Sequence, residues 1–186
     1  MANTFFISDT HFGHIGVCKF MRDDGVTKLR PWTTPEEMDE ALISNWNRVV
    51  GPKDKVYHLG DVVINRRALH TLHRLNGEKV LIKGNHDIFR LEEYTPFFKD
   101  VRGYHVLDGM ILSHIPIHPE SLARFSVNVH GHLHSNRVLS NKSIDPQYFN
   151  VSVEQINYTP IAIEDMRQAI MAQGGNFTMK ERAMRM

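Results

Sequence analysis

A single cysteine, Cys18, in 186 residues rules out an internal disulfide framework and fits a reducing compartment. No apolar run approaches the roughly 18 residues needed to span a bilayer, so no membrane partner is expected. Neither sign of charge dominates. Twenty-two Lys and Arg face 21 Asp and Glu, and a net charge of +1 argues against non-specific binding to nucleic acid or to a membrane surface. The opening "MANTFFISDTHF" has no basic segment and no long apolar stretch before Asp9, so no secretory leader is expected and a cytoplasmic location is. There is no internal repeat, low-complexity tract or linker. One domain over residues 1–175 is expected, with a polar, methionine-rich tail at 176–186 expected to be mobile.

What the chain has in quantity is histidine, twelve in all, and their placement is patterned. Short apolar runs stop repeatedly at Asp, Asn or His. "TFFIS" leads to Asp9-Thr10-His11, "KVYHL" to Gly60-Asp61, and "KVLIK" to Gly84-Asn85-His86-Asp87. "MILS" leads to His114, and "SVNVH" to Gly131-His132-Leu133-His134. Runs of four or five residues rich in Val, Ile, Phe and Tyr read as buried strands. A helix is expected over 35–50, with Thr34 as N-cap, Pro35 at N1, Glu37 closing a capping box and Gly51-Pro52 as the stop. A second is expected over 65–75, with Ala68, Leu69, Leu72 and Leu75 inward and Gly77 after it, and a third over about 163–173, with Met166 and Ile170 inward. Asp108-Gly109 reads as a tight hairpin turn. Strands alternating with helices, then a hairpin-rich second half, point to an α/β fold of helix-covered sheets. In open α/β sheets ligands bind at the carboxyl ends of strands, where these Asp, Asn and His residues lie.

Each piece alone reads as readily as a turn. Together Asp9, His11, Asp61, Asn85, His114, His132 and His134 supply seven oxygen and nitrogen donors, a mixture suited to first-row transition metals. Seven exceed one four-coordinate site. Two metals can share them if one carboxylate bridges, and a close metal pair suits displacement at phosphorus. His58 and His130, inside strand runs, read as packed. His70 and His73 read as part of a solvated helix face.

The order of these five blocks, Asp9-Thr10-His11, Gly60-Asp61, Gly84-Asn85-His86-Asp87, His114 and Gly131-His132-Leu133-His134, resembles the calcineurin-like metallophosphoesterase family. The resemblance implies a four-layer α/β/β/α sandwich with a di-metal centre at the carboxyl ends of the strands. It implies that Asp9, His11 and His134 bind a first metal, that Asn85, His114 and His132 bind a second, and that Asp61 bridges. It gives His86 the role of protonating the leaving group or stabilising the transferring phosphoryl group, and Asp87 the role of orienting it. The expected cofactors are two divalent transition metals, manganese first, with iron, nickel or zinc as alternatives. The expected activity is hydrolysis of a phosphoester, preferably a nucleotide-like diester, by a metal-activated water. The alternatives are a phosphomonoesterase or protein phosphatase of the same fold, a non-catalytic metal-binding scaffold, or a metal-dependent amide hydrolase. The partner is a small phosphoester or nucleotide, and nucleic acid enters only as substrate.

The segment Phe12–Thr34 is long for a connection inside one domain, which marks it as a candidate functional loop. His14, Arg22, Arg30 and Trp32 within it are candidate substrate contacts, with a guanidinium suited to phosphate and an aromatic to a base or sugar. His118, four residues past His114, is a further candidate.

Overall fold

The computed structural model describes residues 2–177, so most of the expected tail, 178–186, lies outside the described residues. Within the described part of that tail, Phe177 packs against the core, which moves the end of the packed chain beyond residue 175.

The first sheet runs β11–β1–β2–β3–β4, built from Thr4–Ile7 (β1), Lys55–His58 (β2), Glu78–Ile82 (β3), Asp100–Arg102 (β4) and Ile161–Ala162 (β11). Strands β1 to β4 are parallel, and β11 is antiparallel to β1. The second sheet runs β10–β7–β6–β5, from His105–Leu107 (β5), Met110–Leu112 (β6), Asn128–His130 (β7) and Tyr148–Asn150 (β10). The second half does hold hairpins. One joins β5 to β6 through Asp108 and Gly109, both at positive φ; the other joins Leu139–Ser140 (β8) to Ser143–Ile144 (β9). Yet β6, β7 and β10 are parallel, contrary to a purely hairpin reading. The chain from β6 to β7 passes through a 3₁₀ helix, Pro119–Arg124, rather than a tight turn. As a result β6 and β7 share a direction, and the residues following both emerge at one edge.

Alternation along the strands assigns each face. Phe5, Ile7, Val56 and Leu81 point into a core shared with the helix Pro35–Val49 (α1), while Phe6, Tyr57, Val80 and Ile82 meet Met110, Leu112 and Val129 of the second sheet. That is the period of two expected of strands buried on both faces. Helix α1 has the Thr34/Glu37 capping box, and Met38, Leu42 and Trp46 are buried. The helix expected over 65–75 is instead a 3₁₀ helix, Arg66–Arg74. Leu69, Leu72 and Leu75 recur every three residues, which aligns them on a helix of three residues per turn rather than 3.6.

The fold is therefore mixed α/β with two sheets sharing a core. On the other face of the second sheet, Leu122 of the 3₁₀ helix packs in a separate small cluster with Ile111 and Tyr148. Helix Ile163–Ala172 (α2) places Met166 and Ile170 in the same core cluster as Phe6, Tyr57, Met110 and Val129. Among the described residues no helix is long and apolar enough to cross a membrane.

Candidate metal centre

All five donor blocks follow the carboxyl ends of parallel strands, β1, β2, β3, β6 and β7, and meet at one edge. Backbone bonds stitch them together. Asp9 N–H donates to the Gly60 carbonyl at 2.9 Å, His11 N–H to Asp61 at 3.1 Å, and Gly131 N–H to His114 at 2.9 Å. The approach is too close for side chains at two glycines. A Cβ on Gly84 would lie 2.2 Å from Asp61 Oδ1, and one on Gly131 would lie 2.0 Å from Ser8 Oγ.

The backbone is strained where the donors sit. Of ten non-glycine residues at positive φ among the described residues, five are Asp9 (58°), His11 (51°), Asp61 (56°), His132 (69°) and His134 (50°). Asp and His tolerate this region better than most residues, but it costs of order 1–3 kcal/mol each. Such conformations persist only where the surroundings enforce them, and they turn side chains from adjacent loops toward a common point.

Two groups result, each with its donor atoms within 4.8 Å of one another: Asp9, His11 and His134; and Asp61, His114 and His132. Asn85 joins the second, its Oδ1 2.9 Å from His114 Nε2. Asp61 stands between the groups. Its Oδ2 lies 3.7 Å from His11 Nε2 and its Oδ1 3.5 Å from His114 Nε2. Tautomers follow from the outer partners. The Leu59 carbonyl, 2.8 Å from His114 Nδ1, can only accept, so Nδ1 carries a proton and Nε2 is the nitrogen turned toward Asn85 and Asp61. His134 Nδ1 faces the Glu154 carboxylate at 3.1 Å, with the same consequence.

A cation fits this arrangement. Asp9 Oδ1 and His11 Nε2 are buried with no hydrogen-bond partner, in a protein where buried polar atoms are ordinarily paired. Burial pushes the Asp9 carboxyl up, only partly offset by His134 and His114. Burial, with Arg30 adding to it, pushes His11 well down, leaving a neutral imidazole. Burial would also raise Asp61, but the hydrogen bond and charge of His114 and the His86 N–H outweigh it and hold this carboxylate below its ordinary range. Neutral imidazole and ionised carboxylate are the ligand forms, so His11 and Asp61 are shifted toward them and Asp9 is shifted away.

The remaining predicted residues divide. His86 is exposed beside the cluster, its ring edge-on to His11 with centroids 5.7 Å apart, and its N–H donates to Asp61 Oδ1 at 2.9 Å. His14 reaches the same neighbourhood, 5.7 Å from His11 and 6.1 Å from Phe20 between ring centroids. Asp87 does not orient the His86 ring. It is buried, and its carboxylate accepts the N–H groups of Asp61 (2.8 Å), Val62 (3.0 Å) and Gly84 (2.8 Å), which clamps the two loops instead. Arg30 is not a surface contact for phosphate either. It is 1% exposed, and its guanidinium is consumed by Glu154 and the carbonyls of Asp9 and Thr10. Trp32 packs edge-on against Tyr158 at 4.7 Å and onto the core, so it is no free wall for a base. Exposed Arg22 closes a turn through its N–H to Thr27. His118 caps the 3₁₀ helix, accepting the Glu120 N–H at 3.3 Å, a local role that accounts for its place in the chain. Cys18 is buried beside Met38.

Glu154 was not anticipated, although it ends an apolar-alternating run, "FNVSVE", in the manner of the other donors. Ser152 was missed as well. Its hydroxyl donates to Asp9 Oδ2 at 2.8 Å, beside the His132 N–H at 2.9 Å, which leaves Oδ1 as the free oxygen.

Fold and site together define an α/β protein with two adjoining Asp/His donor groups at one sheet edge. The chain is 38% identical over 174 residues to an uncharacterised protein of Methanocaldococcus jannaschii, covering 88% of this chain and 89% of that protein, and it belongs to that protein's family. A protein of unknown function from Aquifex aeolicus has a similar structure (TM-score 0.67, 26% identity, 91% of this chain and 100% of that one). An archaeal phosphodiesterase is a more distant likeness (TM-score 0.45, 17% identity, covering 81% and 82%). No protein-family model matches the chain.

Proposed function

We propose that this protein is a binuclear metal-dependent phosphoesterase acting on a phosphodiester, with a compact nucleotide-like substrate preferred. The observation that carries the reading is Asp61, whose two carboxylate oxygens face two separate imidazoles, His11 and His114. The order of the motifs supports it, since the five blocks resemble the calcineurin-like metallophosphoesterases. The unpartnered Asp9 Oδ1 and His11 Nε2 support it too.

On this reading Asp9, His11 and His134 hold one ion, Asn85, His114 and His132 the other, and Asp61 both; manganese is the first choice. Two close divalent ions would supply an activated water and stabilise charge on the phosphoryl oxygens. The chain's own contribution is positional. Asp87 and the glycines hold the loops in register, and Leu59 and Glu154 set the imidazole tautomers. As a water oxygen that has lost a proton to solvent forms its bond to phosphorus, the ester P–O bond breaks, and His86 gives a proton to the departing oxygen and takes one back from solvent. Its ring is exposed at the rim, where it can meet substrate without taking a ligand position.

The test is elemental analysis after manganese loading, alongside release of nitrophenol from mono- and bis-nitrophenyl phosphate. Two ions per chain with faster turnover of the diester is the expected result. Two ions with a preference for the monoester would favour a phosphatase, and two ions without turnover of either would favour a scaffold. A saturating value of one ion or none in folded protein would refute the binuclear reading.

A further inference from the structure

The donor group Asp9–His11–His134 has something behind it that the other lacks, a buried ion pair. Arg30 and Glu154, far apart in sequence, meet with both side chains 0% exposed and with Arg30 Nε 2.8 Å from Glu154 Oε1. Each reaches a different donor loop. Arg30 Nη1 donates to the Thr10 carbonyl at 2.8 Å and Nη2 to that of Asp9, which grips the backbone on which Asp9 and His11 are carried. Glu154 Oε1 also takes the His134 Nδ1–H at 3.1 Å. One guanidinium and one carboxylate thus touch the supports of all three donors. Among the described residues His114, Asn85 and His132 have no such pair. His114 rests on a backbone carbonyl, and the Asp61 loop on Asp87.

Stability alone does not explain this choice of residues. Burying two charges costs several kcal/mol per ion, and an apolar pair of the same volume often does as well or better. A carboxylate offers something an apolar side chain cannot. It accepts only from Nδ1–H, so it selects the tautomer of His134 that presents a bare Nε2, and it fixes the ring plane. The guanidinium in turn fixes the carboxylate and, through two carbonyls, the strained turn at Asp9 and His11.

We infer that Arg30 and Glu154 are positioning residues for one of the two metal ions only, so that their loss weakens one site and spares the other. The inference rests on the binuclear reading above. Its test is manganese titration by calorimetry, with elemental analysis, on the full chain and two variants, together with nitrogen-15 NMR of histidine tautomers in the ion-free proteins. Glu154→Gln keeps an acceptor but loses the charge. It should retain both ions, with one site weaker by roughly 10-fold. The double variant Arg30→Met/Glu154→Leu removes both charges together, leaving no unpaired ion. It should fold, weaken one site by about 10–100-fold, and lose the Nδ1–H preference of His134 while His114 keeps its own. Unchanged affinities in both variants, or an equal loss at both sites, would overturn the inference. If the double variant did not fold, an unchanged two-site titration in Glu154→Gln would overturn it alone. If the native chain bound fewer than two ions, the binuclear reading would fail. The His134 tautomer would then still decide the positioning claim, since a Nδ1–H preference retained in the double variant would refute it.

Discussion

The two halves of the candidate centre both draw on Asp and His, with Asn85 in one alone, and they differ in what encloses them. Asp9 and His11 are 0% and 2% exposed and lie over a layer of buried polar groups, namely Ser8, Ser152, Thr10, His58 and the Arg30–Glu154 pair. Asn85 and His86 stand exposed at the rim, on a loop held from below by Asp87. On the binuclear reading, a closed half gripped by the Arg30–Glu154 pair and Ser152 would be preorganised to retain an ion. An open half would leave room for a substrate and for His86 as the proposed proton donor. On that reading the same chemistry would serve retention on one side and access on the other, and Asp61 faces both.

The largest effect should come from breaking the join. Asp61→Asn removes one anionic oxygen from between the groups, and it should lower bound manganese more than the loss of any terminal donor and reduce kcat by at least ~10²–10³-fold. The check is metal content beside single-donor variants such as His132→Ala. Equal metal loss in both would show that Asp61 does not bridge.

On the open side, His86→Ala should keep both ions and lower kcat by about 10²–10⁴-fold on a nucleotide diester, whose alkoxide needs the proton. The loss on bis-nitrophenyl phosphate should be smaller, because nitrophenolate leaves readily. Equal losses would point to electrostatic stabilisation instead, and loss of an ion would make His86 a ligand.

The closed half should betray its buried floor in acid. Thr10 Oγ1 donates to the Val62 carbonyl at 3.0 Å, so His58 Nε2, 3.0 Å from that oxygen, must be the donor, and Nδ1 is bare and buried without a partner. Burial drives His58 down to about 3 from 6.5. Below pH 6.5 the unfolded chain takes up a proton that the folded one refuses. The stability this neutral ring confers is complete above about pH 6.5 and is lost as pH falls toward 3, at up to ~1.4 kcal/mol per pH unit. His58→Phe should flatten the fall of the urea midpoint between pH 6.5 and 4 without abolishing it, since burial also drives His130 down to about 4. Parallel curves for native protein and variant would remove His58 from the account.

The smallest effect belongs to a residue outside both halves. His118→Ala removes a weak cap from a short helix and should cost less than about 1 kcal/mol in thermal unfolding, with metal binding and kinetics unchanged. A raised KM would return His118 to the substrate wall.

Local signals in the sequence were legible wherever local physics decided the outcome. The capping box at Thr34 and Glu37 is a contact three residues long, and the α1 start follows it. Asp108-Gly109 carries its own positive-φ preference, and the hairpin forms there. Apolar runs ending at polar residues announced β1, β2, β3, β6 and β7 together with the donors that follow them. Segment 65–75 misled because apolar residues at mixed spacings of three and four fit either helix type. Arg30 and Trp32 misled for another reason. A loop residue shows no periodicity from which burial can be read, so a guanidinium engaged inside the protein looks in sequence like one waiting for phosphate.

By itself, then, the sequence determined which residues end strands, where α1 begins and ends, and which donor types are available. These depend on neighbours within a few positions. The tertiary structure alone decided that β6 and β7 run parallel, so that His114 and His132 arrive at the same edge as Asp9 and Asp61. It alone set Ser152 against Asp9 across 143 positions, Glu154 against Arg30 across 124, and Asp87 beneath Asp61 rather than beside His86. The physical reason is that a buried polar group must find a partner wherever the packed chain brings one within about 3 Å. That partner is chosen by how the sheets pack, which no short window of sequence contains.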